Sequence, residues 1–374
     1  MTHFGKQVLT LQFACANITY AFRQGLLKRF YSATKHNESA TKKKPHPYRS
    51  IHPWKSQVEF TKYLIDNLIY NKDGIVVLNK PYGISGRPAI NKENQMGVLP
   101  HLIANPVNYT IEDTLPAIAK ELGYQQLKIG KCPERYTSGV TILFGRNELQ
   151  ELMEKSIKRT MGFHHMYRTF WIVTTMVPKQ MSGKQTLGLK LHKYADGNKK
   201  AILTNKYSNR EVKNGDVKLL HVEFKVLANS TYNLSSLLEI KASKTKWHAV
   251  RLFTATQLLA PVLGDNYYGC SIRNIMGTWF PVKHLVDNIH PELNDHLLKM
   301  LSISKAQQEI IPAHMHLRSI ILPSLLKRGQ DFIVEAPLLH PFDWTCKQLF
   351  SQEKFDLLGQ PDKERELKKL SSKN

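Results

Sequence analysis

Short runs of β-branched and aromatic residues recur along this chain, closed by turn residues and separated by stretches with helical spacing. That alternation points to a mixed sheet with helices packed against it. Ile75-Val76-Val77-Leu78-Asn79 follows the turn signal Asn71-Lys72-Asp73-Gly74 and reads as a buried strand. Lys80-Pro81-Tyr82-Gly83 then breaks the chain into a loop, because Pro has no N–H to give to a ladder. Val140–Phe144 and Phe170–Thr175 read as further strands, Val222–Val226 alternates as a half-buried one, and Leu237–Ile240 precedes Lys246. Within residues 111–122 a helix is expected to begin near Pro116 and to end at Gly123. Two more are expected, over about 148–159 and from His248 to Leu259. No repeat at solenoid periods is present. The whole reads as one mixed α/β (α+β) domain over residues 66–345.

Charge narrows the choice of partner. The 374 residues include 53 Lys+Arg against 30 Asp+Glu, a formal net charge of +23. A surplus of that size repels itself in the folded state, so a polyanion is the partner to expect. With 42% apolar residues the chain buries a core without a disulfide or metal staple. Its four cysteines (Cys15, Cys132, Cys270, Cys346) lie far apart, against a zinc ribbon, a dithiol motif or a disulfide framework. No apolar run reaches the ~18 residues needed to span a bilayer. GxGxxG and GxxxxGK[ST] loops are absent, which disfavours dinucleotide and P-loop chemistry. Residues 183–213, with Lys190 and Lys193 among eight cations, read as a basic loop or hairpin that tracks phosphate; a merely solvated hairpin is the plainer alternative.

The ends have their own character. Residues 1–37 hold no acid, several basic residues and an amphipathic set, Phe22, Leu26 and Phe30, the pattern of a mitochondrial transit peptide. An ordinary N-terminal helix is the alternative. Residues 38–65 read as a basic linker and lead-in helix. Residues 346–374 read as a charged tail whose last part, from 352, is a frayed helix or disordered.

Three segments in order resemble the RluA-type pseudouridine synthases. Ile75–Gly83 is similar to the family's "vvNKPxG" strand and loop. Glu134-Arg135-Tyr136-Thr137-Ser138-Gly139-Val140 is similar to its "HRLDRxTSGL" catalytic loop. His248-Ala249-Val250-Arg251 followed by Pro261–Gly269 resembles "RxHQIRxH…HPxxGDxxYG". Weaker matches are Arg168-Thr169-Phe170 at the "KxY" strand, and His316-Leu317-Arg318 with Glu335–Leu338 at the C-terminal segment. Taken singly, a Thr-Ser-Gly turn or a Glu-Arg surface pair means little. Their order and joint spacing carry the resemblance, over roughly residues 66–345. The fold it implies is a central mixed and antiparallel sheet with flanking helices around a basic cleft.

The resemblance implies isomerisation of uridine to pseudouridine in mitochondrial rRNA, tRNA or mRNA, without cofactor or metal. The family's Asp acts on the target nucleotide as an ionised carboxylate, in a site closed to water with a cation beside it. Here Glu134 takes that place, on an arm one methylene longer. Such a change displaces the reacting oxygens by up to ~1.5 Å, and misplacement of about 1 Å costs up to ~10²-fold. Lys131-Cys132-Pro133 stands where the family has His-Arg-Leu. Arg251 matches the Arg expected to pair with the carboxylate, and Phe170 replaces the Tyr that packs on the base. Lys80, Arg135 and Lys246 are expected to contact phosphate or shape the cleft, with His248, Arg168, Lys190 and Lys193 also facing RNA. Lys246 keeps the charge of a family Arg without its fork. A second reading stays open, an RNA-binding protein that has kept the fold and lost catalysis, serving mitochondrial ribosome assembly or RNA stability. A monomer in the mitochondrial matrix is expected, with ribosome assembly factors as protein partners. His164-His165 and His314/His316 lack a nearby acid or Cys to complete a metal site.

Overall fold

A computed structural model describes residues 45–88, 103, 106–162, 166–193, 197, 199–276, 278–281 and 293–351. The transit-peptide reading of residues 1–37, residues 38–44 of the linker, His164-His165 and the tail from 352 lie outside the described residues. The described fold belongs to a compact unit that begins at His46.

The first helix, α1 (Gln57–Asp66), starts on Ser56, whose hydroxyl accepts from the Glu59 N–H, and buries Phe60 and Leu64. The hairpin β1 (Leu68–Lys72) and β2 (Ile75–Lys80) turns on Asp73 and Gly74, at φ 57° and 79°. Two positive φ values match the right-handed twist of a two-residue hairpin. Every residue of β2 is buried. Alternate residues serve different cores: Ile75 and Val77 join the central cluster, while Val76 and Leu78 pack with Phe60 and Leu64 of α1.

Helix α2 (Ile111–Glu121) begins ahead of the expected position near Pro116, which lies inside it. Asp113 accepts from the Thr110 N–H at 2.7 Å, so the capping interaction nucleates the first turn. Ile111, Leu115, Ile118 and Ala119 then form one buried face, which outweighs the one hydrogen bond Pro116 cannot donate.

Next come β3 (Lys128–Lys131), β4 (Ser138–Phe144), α3 (Asn147–Gly162), β5 (Arg168–Val173), β6 (Ser182–Lys193) and β7 (Lys199–Thr204). The short α4 (Asn209–Asn214) leads to β8 (Lys218–Asn229), β9 (Ser236–Ala242) and α5 (Ala249–Thr256). A small hairpin, β10 (Ile272–Ile275) and β11 (Thr278–Pro281), precedes α6 (Asp295–Met300), β12 (Met315–Lys327), β13 (Gln330–Glu335) and α7 (Phe342–Leu349). Helix α5 is shorter than the expected span from His248 to Leu259. His248 and Leu259 both have left-handed φ, 55° and 52°, which an α-helix does not admit.

The main sheet runs β1-β2-β4-β12-β5-β9-β8-β6-β7, with β3 also on β4 and β13 also on β12. Pairing is antiparallel except where β12 meets β4 over two residues, His316 opposite Ser138 and Leu317 opposite Gly139. That approach requires glycine: Gly139 has φ 113°, and a Cβ there would lie 2.2 Å from the Leu317 carbonyl oxygen. Both faces of β5 are covered. Phe170 and Ile172 face the cluster that includes Leu149 and Met153 of α3 and Phe253 of α5, while Trp171 and Val173 face Leu297 of α6 and Phe342 of α7. The basic segment over 183–213 is a hairpin, β6 on β7, followed by α4.

Packing also reaches beyond residues 66–345. Tyr48, inside the segment read as a linker, is fully buried with its hydroxyl 2.7 Å from Thr345 Oγ1. Cys346, Leu349 and Phe350, inside the segment read as a tail, belong to the core beneath α7.

Candidate active site

The loop carrying Glu134 joins β3 to β4 and is tied down from the loop after β2. Lys80 is wholly buried, and its ammonium donates to the carbonyls of Ile84 at 2.8 Å, Pro81 at 3.3 Å and Arg135 at 3.3 Å. Burial lowers its pKa to about 8. The two loops are laced further by Gly83 N–H to the Arg135 carbonyl at 2.9 Å and Arg135 Nε to the Gly83 carbonyl at 3.0 Å. A turn from Thr137 N–H to the Glu134 carbonyl, 3.0 Å, closes the segment.

The opposite side is built by the entry to α5. Trp247 and His248 both take left-handed backbone, φ 55° and ψ 38° and 34°. Non-glycine residues in that region cost of order 1–3 kcal/mol each and concentrate at functional sites. Here the bend brings His248 Nδ1 to 2.6 Å from Glu134 Oε2. One turn into α5, Arg251 is buried and forks onto Asp265, Nε to Oδ2 at 2.7 Å and Nη2 to Oδ1 at 2.6 Å. Burial opposes the guanidinium charge, but the Asp265 carboxylate overrides it and raises the Arg251 pKa. Asp265 stands next to Gly264, at φ 80°, where a Cβ would meet the Pro312 carbonyl oxygen at 2.1 Å.

Between these walls lies a cleft with about 540 Å³ of free space, open to solvent. Phe170, Val250, Met315, Leu317 and Ile320 line it with apolar surface. Lys131, Arg168, His248 and Arg251 also line it, with Glu134 as the acid among them. Arg168 Nη1 donates to Thr245 Oγ1 at 3.1 Å, its guanidinium lies 4.3 Å from the centre of the Tyr167 ring, and burial lowers its pKa. Burial also lowers the pKa of Lys131.

The cleft therefore gathers Glu134, Arg168, Phe170, His248 and Arg251. The expected direct pairing of Arg251 with Glu134 is corrected: the guanidinium spends its fork on Asp265, and the side chain that meets the Glu134 carboxylate is the His248 imidazole. Lys80 and Arg135 shape the cleft by holding its loops, and burial keeps Lys80 from reaching phosphate. Lys246 is exposed, with its ammonium 4.9 Å from the Trp247 ring centre. Lys190, 3.6 Å from Glu211, and Lys193 lie on β6, away from the cleft lining. Sequence reasoning missed Asp265 as the partner of Arg251 and His248 as the partner of Glu134. Asp265 stood in plain view in the Gly-Asp motif, but nothing in its spacing says which cation it meets. His314 and His316 are buried and hydrogen-bonded, to Thr345 at 2.6 Å and to Ser138 at 2.9 Å. Among the described residues no group of three or more His, Cys, Asp or Glu is placed to hold a metal, and no helix is long and apolar enough to cross a membrane.

No family model matches the chain. Among curated proteins it is 24% identical over 299 residues to the mitochondrial mRNA pseudouridine synthase RPUSD3 of Homo sapiens, covering 79% of each chain. It is 23% identical over 303 residues to the mitochondrial pseudouridylate synthase RPUSD4 of Rattus norvegicus, covering 77% of this chain and 70% of that one. Among solved structures, human RNA pseudouridylate synthase domain containing 4 superposes with a TM-score of 0.54 at 20% identity, over 78% of this chain and 95% of that one. The homologues of this chain are mitochondrial pseudouridine synthases, and it shares their fold.

Proposed function

We propose that this chain isomerises uridine to pseudouridine in RNA of the mitochondrial matrix, with Glu134 as the reacting carboxylate. The observation that carries this reading is the position of Glu134: the acid lining a basic cleft whose remaining wall is apolar. The isomerisation breaks the N1–C1′ bond, rotates the uracil and forms C5–C1′. The proton released at C5 is balanced by one taken up at N1, so no co-reactant is consumed. An ionised carboxylate serves by adding to the sugar or base and leaving again. Arg251, held in place by its fork to Asp265, lines the cleft beside Glu134. Phe170 packs on the uracil, which leaves its stack to enter. Lys131 and Arg168 meet the phosphates beside it. The substrate is mitochondrial rRNA, tRNA or mRNA, and the chain acts as a monomer.

A second reading is an RNA-binding protein without catalysis. The observation favouring it is the engagement of Glu134 with His248 at 2.6 Å, on an arm longer than that of the family Asp. Incubating the purified chain with mitochondrial RNA and mapping pseudouridine separates the two. Under the synthase reading the wild type forms pseudouridine and Glu134→Gln forms none. A silent wild type that gains activity as Glu134→Asp establishes the binding-protein reading instead.

A further inference from the structure

The register of the sheet sets a row of cations across one end of four adjacent strands. Thr169 of β5 lies opposite Lys241 of β9, Ala242 of β9 opposite Val222 of β8, and Lys218 of β8 opposite Leu189 of β6. The start of β5, the end of β9, the start of β8 and the end of β6 therefore share one edge. Arg168, Lys244 and Lys218 follow one another along it, with neighbouring strands about 4.8 Å apart, and on β6 the residue of matching face parity near its end is Lys193, whereas Lys190 projects from the other face. The row begins in the cleft at Arg168 and leads away from it.

Trp247 stands at the step next to the cleft. It is half-buried, its ring packs against the central core, and the following residue is His248, the partner of Glu134. The ammonium groups of Lys246 and Lys218 lie 4.9 Å and 5.2 Å from its ring centre. Neither lysine, nor Lys244, forms an ion pair with a carboxylate among the described residues. Lys218 feels the crowding: the charge of Lys246, followed by desolvation, lowers its pKa. Packing alone would be served by uncharged side chains. Two ammonium groups that repel each other over an indole are relieved by a phosphate, and the indole offers a surface on which a base stacks. An acidic peptide would answer the lysines but make no use of the ring.

We propose that Trp247, with Lys218, Lys244 and Lys246, is a subsite for the nucleotide beside the target, from which the RNA strand runs along the sheet edge toward Lys193. This rests on the synthase reading for the place of the target uridine, but not for its chemistry. Binding of uridine monophosphate, which fits the cleft alone, is compared with binding of a single-stranded oligouridylate, which spans both. Trp247→Ala is expected to weaken oligouridylate binding about tenfold more than it weakens binding of the mononucleotide. The pair Lys218→Glu and Lys244→Glu, which changes no packed apolar group, is expected to flatten the salt dependence by more than one unit of log K against log salt. Oligouridylate should quench indole fluorescence in the wild type and less so in Trp247→Phe. Wild-type affinity and salt slope in both the alanine and the glutamate variants would overturn the subsite. Pseudouridine mapping with Glu134→Gln separates the two claims. If the wild type makes no pseudouridine yet Trp247→Ala weakens oligouridylate binding, the chemistry falls and the subsite stands. If the wild type makes pseudouridine and Trp247→Ala binds normally, the subsite alone falls.

Discussion

Arg251 and Asp265 meet through two hydrogen bonds of 2.7 and 2.6 Å, both side chains shut away from solvent. Asp265 Oδ1 also accepts the N–H groups of Tyr267 at 3.1 Å and Tyr268 at 3.0 Å. One carboxylate thus fastens α5 to the turn that follows Gly264, and the guanidinium reaches the cleft already neutralised in part. Breaking such a buried pair from one side strands the other charge, at about 3–5 kcal/mol. Asp265→Asn is therefore expected to lose that order of stability in denaturant unfolding. Replacing both partners, Arg251→Met with Asp265→Leu, should recover much of it while leaving pseudouridine formation absent, because the guanidinium beside Glu134 is gone. A double variant as unstable as the single one would show that a stranded charge is not the source of the loss.

Glu134 and His248 are a different kind of pair. Their side chains are 38% and 26% exposed, so the interaction stabilises the fold by no more than ~1 kcal/mol. Its effect is on where the carboxylate points. His248→Ala is expected to leave the melting temperature nearly unchanged and to lower the rate of pseudouridine formation about tenfold or more, through kcat rather than KM. His248→Gln, whose amide donates to the carboxylate, should restore part of the loss. A fall in KM-controlled binding with kcat intact would instead make His248 an RNA contact.

What the sequence reveals here follows from what is local. The alternation at Ile75–Leu78 and the Asp73-Gly74 turn specify a hairpin by themselves, and β1 and β2 form it. Gly139 and Gly264 look ordinary in the sequence, and only the Leu317 and Pro312 carbonyls, nearly two hundred and about fifty residues away, explain them. Helix α2 starts early because Thr110 and Asp113 cap it, a signal present in the sequence but overshadowed by Pro116. In the site, motifs brought Glu134, Phe170 and Arg251 to one cleft. Which side chain meets Glu134 depends on the left-handed bend at Trp247 and His248, which no local pattern in the sequence announces.

Lys80 looked like an RNA contact because it is basic and sits in a motif loop. Its burial makes it a tie between loops. Since burial lowers its folded pKa to about 8, against an ordinary lysine value near 10.5, the folded chain holds fewer protons than the unfolded chain between those values. The stability contributed by Lys80 therefore rises with pH from about 8 to 10.5, by roughly 3 kcal/mol, and is flat below. Lys80→Met should lack that rise, so the wild-type minus variant difference isolates it. Below pH 8 the variant should also lose Glu134-loop protection in limited proteolysis, since three carbonyls lose their donor. Parallel stability curves and equal proteolysis would refute the tie.

His316 joins the two halves of the sheet at the point where β12 meets β4. Its Nδ1 lies 2.9 Å from Ser138 Oγ, and its Nε2 lies 3.1 Å from the Ala336 carbonyl. The carbonyl can only accept, so Nε2 carries the proton and Nδ1 accepts from the serine, which fixes a neutral imidazole. Burial drives its pKa down to about 3, with the charges of Arg318 and Lys80 pushing the same way. The unfolded chain takes up a proton near pH 6.5 that the folded chain refuses until about 3. Stability from this residue is thus complete above pH 6.5 and declines as pH falls from there toward 3, by at most about 5 kcal/mol. His316→Gln offers a donor and an acceptor but gains no proton. It should be less stable than the wild type at pH 7.5, and the gap should close, then reverse, as the pH is lowered to 4. Denaturant unfolding at a series of pH values measures the gap, and one that stays constant from pH 7.5 to 4 would mean that His316 accepts its proton without unfolding the joint between β4 and β12.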